Sequence, residues 1–175
     1  MFFRIQLARR ASVRGLLLIA LLGSYFVLVA CDKRVVAEIE STAMTPEDLR
    51  GKECAACGMV VAEQPAPRGQ LVRRDGTREF FCSVGDMHVH LNIPSPHGKP
   101  ALIWVETLPS SMKLDDRELQ EQPWKNVNDV VFITGVKRKG IMGKPVLVQE
   151  TQAEALTMAK RLGGIPESWS SLLGK

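Results

Sequence analysis

Acidic residues are absent from the first 30 positions of this 175-residue chain, and no basic run follows them. Aromatic residues make up only 6%, and no apolar run reaches the length of a membrane-spanning helix. With 45% hydrophobic and 24% charged residues the composition is ordinary for a globular protein, which excludes collagen-like, coiled-coil and wholly disordered chains. The formal charge of +4 resides in the leader: Arg4, Arg9, Arg10 and Arg14 stand unopposed, whereas 19 basic residues meet 19 acidic ones from Cys31 onward. A neutral body without a basic run lacks the electrostatic footprint that phosphate backbones select, so no nucleic-acid partner is expected. Signatures of a catalytic triad or of paired carboxylates are also missing. Gly140-Ile141-Met142-Gly143-Lys144 has neither the spacing nor the following Ser or Thr of a phosphate-binding loop. The chain is read as a protein that binds or carries, not as an enzyme.

What is present begins with the leader. A basic stretch to Arg14 precedes residues 15–30, apolar apart from Ser24, and these 16 residues fall short of the roughly 20 a spanning helix needs. The pattern is that of a secretory signal. Leu28-Val29-Ala30-Cys31 resembles the lipobox of bacterial lipoproteins. That resemblance implies a signal peptide over residues 1–30 and a lipidated Cys31, its acyl chains anchoring the protein with about 0.8 kcal/mol per buried methylene. Asp32 matches the inner-membrane retention signal of such lipoproteins, which implies the periplasmic side of the cell membrane. The competing reading is an uncleaved signal anchor with Cys31 an incidental thiol.

About 145 residues remain, enough for one domain or two very small ones. Residues 35–50 show no usable periodicity and read as a tether. Short apolar or alternating runs at 58–62, 70–74 and 78–82 read as strands, the last two joined by the turn-forming dipeptide Asp75-Gly76. Ser83, with Asp86 three residues on, stands where a helix cap belongs, and Val84, Met87, His88 and Leu91 follow at helical spacing until Pro94. Further strands are expected at 101–107, 129–134 and 144–149, with a polar, structureless stretch over 109–128. Thr151 and Glu154 form a capping box for a helix striped by Ala155, Leu156, Ala159 and Leu162 and closed by Gly163-Gly164. Hairpin followed by helix thus occurs twice.

Three cysteines lie in this body, Cys54, Cys57 and Cys82. An odd number in an exported protein leaves at least one thiol outside any internal disulfide, unless a metal claims all three. Cys54-Ala55-Ala56-Cys57-Gly58-Met59 spaces two thiols so that a turn folds both toward one ion. Three chemistries compete. A structural zinc site takes Cys54, Cys57, Cys82 and one of His88 or His90. A thiol–disulfide oxidoreductase needs the pair at a helix start, whereas Met59-Val60-Val61-Ala62 reads as strand. Cu(I) selects thiolate and thioether together. Methionine favours copper, because Met59 and Met87 lie beside candidate ligands and Met142 sits between glycines, in a turn rather than a packed helix. Met112 is a weaker candidate, Met158 reads as structural or surface, and His97 as loop.

The ordered set Glu53-Cys54-Ala55-Ala56-Cys57-Gly58-Met59, Pro65-Ala66-Pro67-Arg68-Gly69-Gln70, Phe81-Cys82-Ser83 with Met87, then Gly135 and Lys139-Gly140-Ile141-Met142-Gly143 resembles the NosL family over residues 53–172. The resemblance implies an α+β fold of two similar ββαβ modules. With it the chain divides into signal 1–30, lipidated tether 31–52, first module 53–108, linker 109–128 and second module 129–175. It also implies a Cu(I)-binding metallochaperone serving nitrous oxide reductase and its membrane maturation complex. The matching ligand positions are Cys57 and Met142, with Met59, Cys54 and His88 as further candidates. Cys82 is expected to be buried structure or a disulfide partner of Cys54. The rival function is a zinc-stabilised interaction module, followed by a thiol–disulfide oxidoreductase.

Overall fold

The computed structural model describes residues 45–112, 120–137 and 144–174. The leader with Cys31 and the segment carrying Met142 lie outside the described residues, so the expectations attached to them concern the sequence alone. Turn chemistry builds the first hairpin: Asp75 Oδ1 accepts the Thr77 N–H at 3.0 Å and Gly76 takes a φ of +85°. Strands β1 (Gly69–Arg73) and β2 (Arg78–Phe81) therefore pair antiparallel, with Gly69 opposite Phe81. Ser83 then caps α1 (Val84–Leu91), its hydroxyl accepting the Asp86 N–H at 3.0 Å and satisfying one donor that the helix leaves free. Strand β3 (Pro100–Glu106) returns antiparallel on the other side of β1.

The second half repeats this path. Strands β5 (Val131–Thr134) and β6 (Leu147–Gln149) form a hairpin, α2 (Gln152–Leu162) follows, and β7 (Ile165–Glu167) pairs antiparallel with β5. Order β2-β1-β3 in one sheet matches β6-β5-β7 in the other, which is the expected pair of ββαβ modules. The capping box of Thr151 and Glu154 is present, and Gly163 ends α2 with a φ of +76°. A short helix, α3 (Trp169–Leu173), closes the described chain. Among the described residues no helix is long and apolar enough to cross a membrane.

Two local expectations need correction. The stretch read as structureless contains β4 (Trp124–Asn126), which adds to the edge of β3. Three residues at an edge are too few to show alternation, and their backbone bonds go to β3 rather than to a local partner. Residues 58–62, read as a strand, contribute only an isolated bridge from Val60 to Glu53, followed by a 3-10 turn at Val61–Glu63. Here the apolar run serves burial rather than pairing, because Val61 is fully enclosed in the core.

The larger core draws on both modules. Leu71, Phe81, Val84, Met87 and Val105 from the first meet Phe132, Val148, Trp169 and Leu172 from the second. A smaller core lies between α2 and its sheet, around Ile133, Leu147, Ala155 and Met158, which settles Met158 as structural. Met87, fully buried, fills the space left by Gly69, where a Cβ would stand 2.7 Å from its sulfur. In the first turn of α1, a Cβ on Gly85 would collide with the Lys144 carbonyl oxygen. Gly85→Ala must displace backbone rather than a flexible side chain and is expected to cost about 1–3 kcal/mol. The check is a lower urea midpoint at unchanged slope; an unchanged midpoint would show that the chain at Lys144 moves freely.

Candidate metal centre

A short turn and a strand end build the site. The turn closes on itself, with the Cys54 N–H donating to Met59 O and the Gly58 N–H to Cys54 O, both at 2.8 Å. Gly58 carries a φ of +75°, a conformation that side-chain-bearing residues adopt at a cost. An N–H from Ala55 to Phe80 O at 2.8 Å and a parallel bridge from Cys54 to Phe80 dock this turn on β2. Cys82 follows β2 directly and stands two residues before α1, next to the capping Ser83, at the point where the strand delivers the chain to its helix cap.

The three thiols meet there. The Sγ atoms of Cys54, Cys57 and Cys82 all lie within 4.8 Å of one another, and none is in a disulfide. The Cys57 and Cys82 sulfurs are 3.6 Å apart. Cys54 and Cys82 are buried, whereas Cys57 is half-buried and marks the open side. Cys54 Sγ accepts the Cys82 N–H at 3.5 Å, and Cys82 Sγ lies 3.5 Å from Asp86 Oδ2. Asp86 is held in turn by the Ser83 hydroxyl at 2.8 Å, so the helix cap and the site share one carboxylate. Among the described residues no imidazole or carboxylate oxygen joins the three sulfurs at that spacing.

Hydrogen bonds divide the protons unevenly. The Cys82 thiol beside Cys54, supported by the Cys82, Ala56 and Cys57 donors, holds the Cys54 thiol down at about 4 against the opposing effect of burial. Cys82 is pushed up, first by its bond to Cys54, then by burial and by the neighbouring negative charge. At neutral pH the pair therefore carries one thiolate, on Cys54. Thiolate ultraviolet absorbance is expected to titrate with a midpoint near about 4 and to vanish in Cys54→Ser. Because the folded value lies below the ordinary thiol value of about 8.5, the associated stability is complete above that value, and it is lost as pH falls through about 4. A reduced chain with thiolate absorbance only above pH ~8 would overturn this assignment.

The other expected ligands fall in different places. Met59 is half-buried and packs against the larger core beside the turn. His88 stands in α1 with Nε2 buried and without a hydrogen-bond partner among the described residues, and it does not join the thiols. His90 turns to Glu79 at 3.3 Å and to the Phe81 ring, while His97 bonds Asp75 at 2.7 Å in the loop expected for it. Cys82, expected to be buried structure, a disulfide partner of Cys54 or, in the zinc reading, a ligand beside Cys54 and Cys57, is buried and lies within the cluster as a free thiol. Its position between a strand and a capping serine was the available signal, since the register of β2 carries it to the docked turn.

Comparison with known proteins agrees with the architecture. The sequence model of NosL matches residues 47–170. The copper-binding lipoprotein NosL of Stutzerimonas stutzeri is 29% identical over 154 residues, covering 86% of this chain and 75% of that protein. The crystal structure of the copper chaperone NosL from Shewanella denitrificans shares the fold with a TM-score of 0.61 at 21% identity, covering 72% of this chain and 93% of that one. With its sequence model spanning well over half of the chain, from before the thiol turn into α3, NosL is the family to which this protein belongs.

Proposed function

We propose that this protein is a lipid-anchored carrier of Cu(I) that hands its ion to an exported copper enzyme by ligand exchange. The observation that carries the reading is the meeting of three free thiols within 4.8 Å of one another, with Cys57 on the open side. Thiolates select soft ions, and a closed structural zinc cage takes four donors where the described cluster offers three. A three-donor site leaves a position through which an acceptor's ligand can enter, which suits transfer rather than turnover. The two relatives, a copper-binding lipoprotein and a copper chaperone, support the same reading.

Cys57 and Met142 are the principal ligands in this proposal, with Cys54, Cys82, Met59 and His88 available around them. Met142 stands two positions before Lys144, whose carbonyl oxygen lies against Gly85 in the first turn of α1. His88 lies on the Gly85 face of α1 by helical spacing, and its Nε2, without a partner among the described residues, offers a lone pair that an ion arriving there could take. Lipid on Cys31 would hold the carrier on the periplasmic side of the cell membrane, at the inner membrane if Asp32 acts as the retention signal. The acceptor that the family points to is nitrous oxide reductase with its membrane maturation complex.

The test is anaerobic titration of the reduced protein with Cu(I) against a competing chelator, repeated in excess Zn(II). One Cu(I) per chain, held equally well in Zn(II), is the expected result. Loss of the fold on zinc chelation, with no Cu(I) held, would move the function to a zinc-stabilised interaction module.

A further inference from the structure

Three thiols in an exported protein face an oxidising surrounding, where unprotected pairs close. In this fold the pairs are not equivalent. Cys57 and Cys82 sulfurs touch at 3.6 Å, and Cys57 is the thiol of the three on the open side. The two residues belong to different elements, a turn with a glycine hinge at Gly58 and the junction of β2 with α1. A closing movement of about 1.5 Å brings two sulfurs in contact to the ~2.05 Å of a bond. Cys54 and Cys82 are both buried, so burial does not separate them; what does is that the Cys54 sulfur is engaged by the Cys82 N–H, whereas the Cys82 sulfur faces that of Cys57.

We infer that Cys57 and Cys82 are a reversible disulfide site that closes the thiol cluster in the absence of cargo, leaving Cys54 as the odd thiol. The inference rests on the copper reading only for its consequence, since the disulfide itself requires no metal. The oxidant is an external disulfide of a small thiol or of a thiol–disulfide exchange protein. Cys57 thiolate attacks one sulfur of that disulfide, forming a mixed disulfide and releasing one thiolate. Cys82 then attacks the Cys57 sulfur, its proton leaving as the second thiolate is released and takes one up. Two protein thiols are oxidised, one external disulfide is reduced to two thiols, and two protons pass to the released groups. Loading with a soft ion then requires the reverse exchange, with a dithiol reductant restoring both sulfurs. A reductive thiol-exchange step must therefore precede copper capture whenever the carrier has met an oxidant empty.

The full chain, reduced and freed of reductant, is exposed anaerobically to oxidised glutathione, then alkylated and mapped by peptide mass spectrometry, and its Cu(I) capacity is measured in parallel. A Cys57–Cys82 disulfide with Cys54 alkylated is the expected product, with Cu(I) capacity reduced about tenfold and restored by dithiothreitol. In Cys82→Ser the glutathione adduct on Cys57 is expected to persist, while Cys54→Ser still forms the Cys57–Cys82 bond. A major product containing Cys54, or three unmodified thiols under conditions that oxidise free dithiothreitol, would overturn the assignment. Peptide mapping and copper capacity fail separately. A mapped Cys57–Cys82 bond in a protein that holds no Cu(I) when reduced would sustain the disulfide site and sink the carrier reading.

Discussion

Cys57→Ser is expected to weaken Cu(I) retention by more than about a hundredfold, beyond the 10- to 100-fold typical of losing an outer-shell partner of a metal ligand. A serine hydroxyl replaces a soft, readily ionised donor with a hard, neutral one, and Cu(I) gains little from it. The change falls at the half-buried edge of the cluster, so the core around Phe81 and Val84 is left intact and the variant should fold. Met142→Leu conserves volume while deleting the thioether, and about a tenfold loss is expected if its sulfur is a directly bound but exchangeable donor. Chelator competition on the two variants and their double combination separates these contributions. Equal affinities for wild type and Cys57→Ser would remove Cys57 from the ligand set, and less than additive losses would show the two donors acting on one ion.

Glu106→Ala is expected to destabilise the fold by about 3–5 kcal/mol, the largest effect on stability foreseen here. Arg68 and Glu106 form a two-pronged ion pair, Nε to Oε2 at 2.7 Å and Nη2 to Oε1 at 2.6 Å, with side chains 1% and 0% exposed. Glu106 also accepts the Arg68 and Gln122 N–H groups, each at 2.9 Å, and Arg68 reaches the carbonyls of Gln64 and Gln120. One carboxylate thus ties the start of β1, the end of β3 and the segment before β4. Deleting it strands a guanidinium away from water. The combined change Arg68→Met with Glu106→Leu should recover much of the loss, because no uncompensated charge remains buried. Urea unfolding measures both; a single-variant loss below about 1 kcal/mol would mean that water reaches the pair.

Much of this architecture was legible because its signals are local. Asp75-Gly76 specifies a hairpin through one glycine conformation and one side-chain bond, and both appear as expected. Ser83 and Thr151 mark helix starts because a hydroxyl answers a free N–H three residues away, a relation that does not depend on the rest of the fold. Strands β4 and β7 left no comparable trace. Each is three residues long, and each exists because a neighbouring strand offers unpaired backbone groups. The pairing of Arg68 with Glu106 was likewise invisible, since 38 residues separate them and only burial makes the pair obligatory.

The site divides along the same line. By itself the sequence determined the secretory leader pattern, the odd number of body thiols, the turn that brings Cys54 near Cys57 and the resemblance to NosL. All of these depend on residue identity and short spacing. Only the tertiary structure decided that Cys82 joins them and that His90 turns away to Glu79. It also decided that Lys144, close in sequence to Met142, lies against the first turn of α1. Those outcomes follow from the docking of the Cys54–Gly58 turn on β2 and from the packing of the second module against the first. Contacts between residues distant in the chain are set by shared burial and backbone pairing, and no local pattern encodes them.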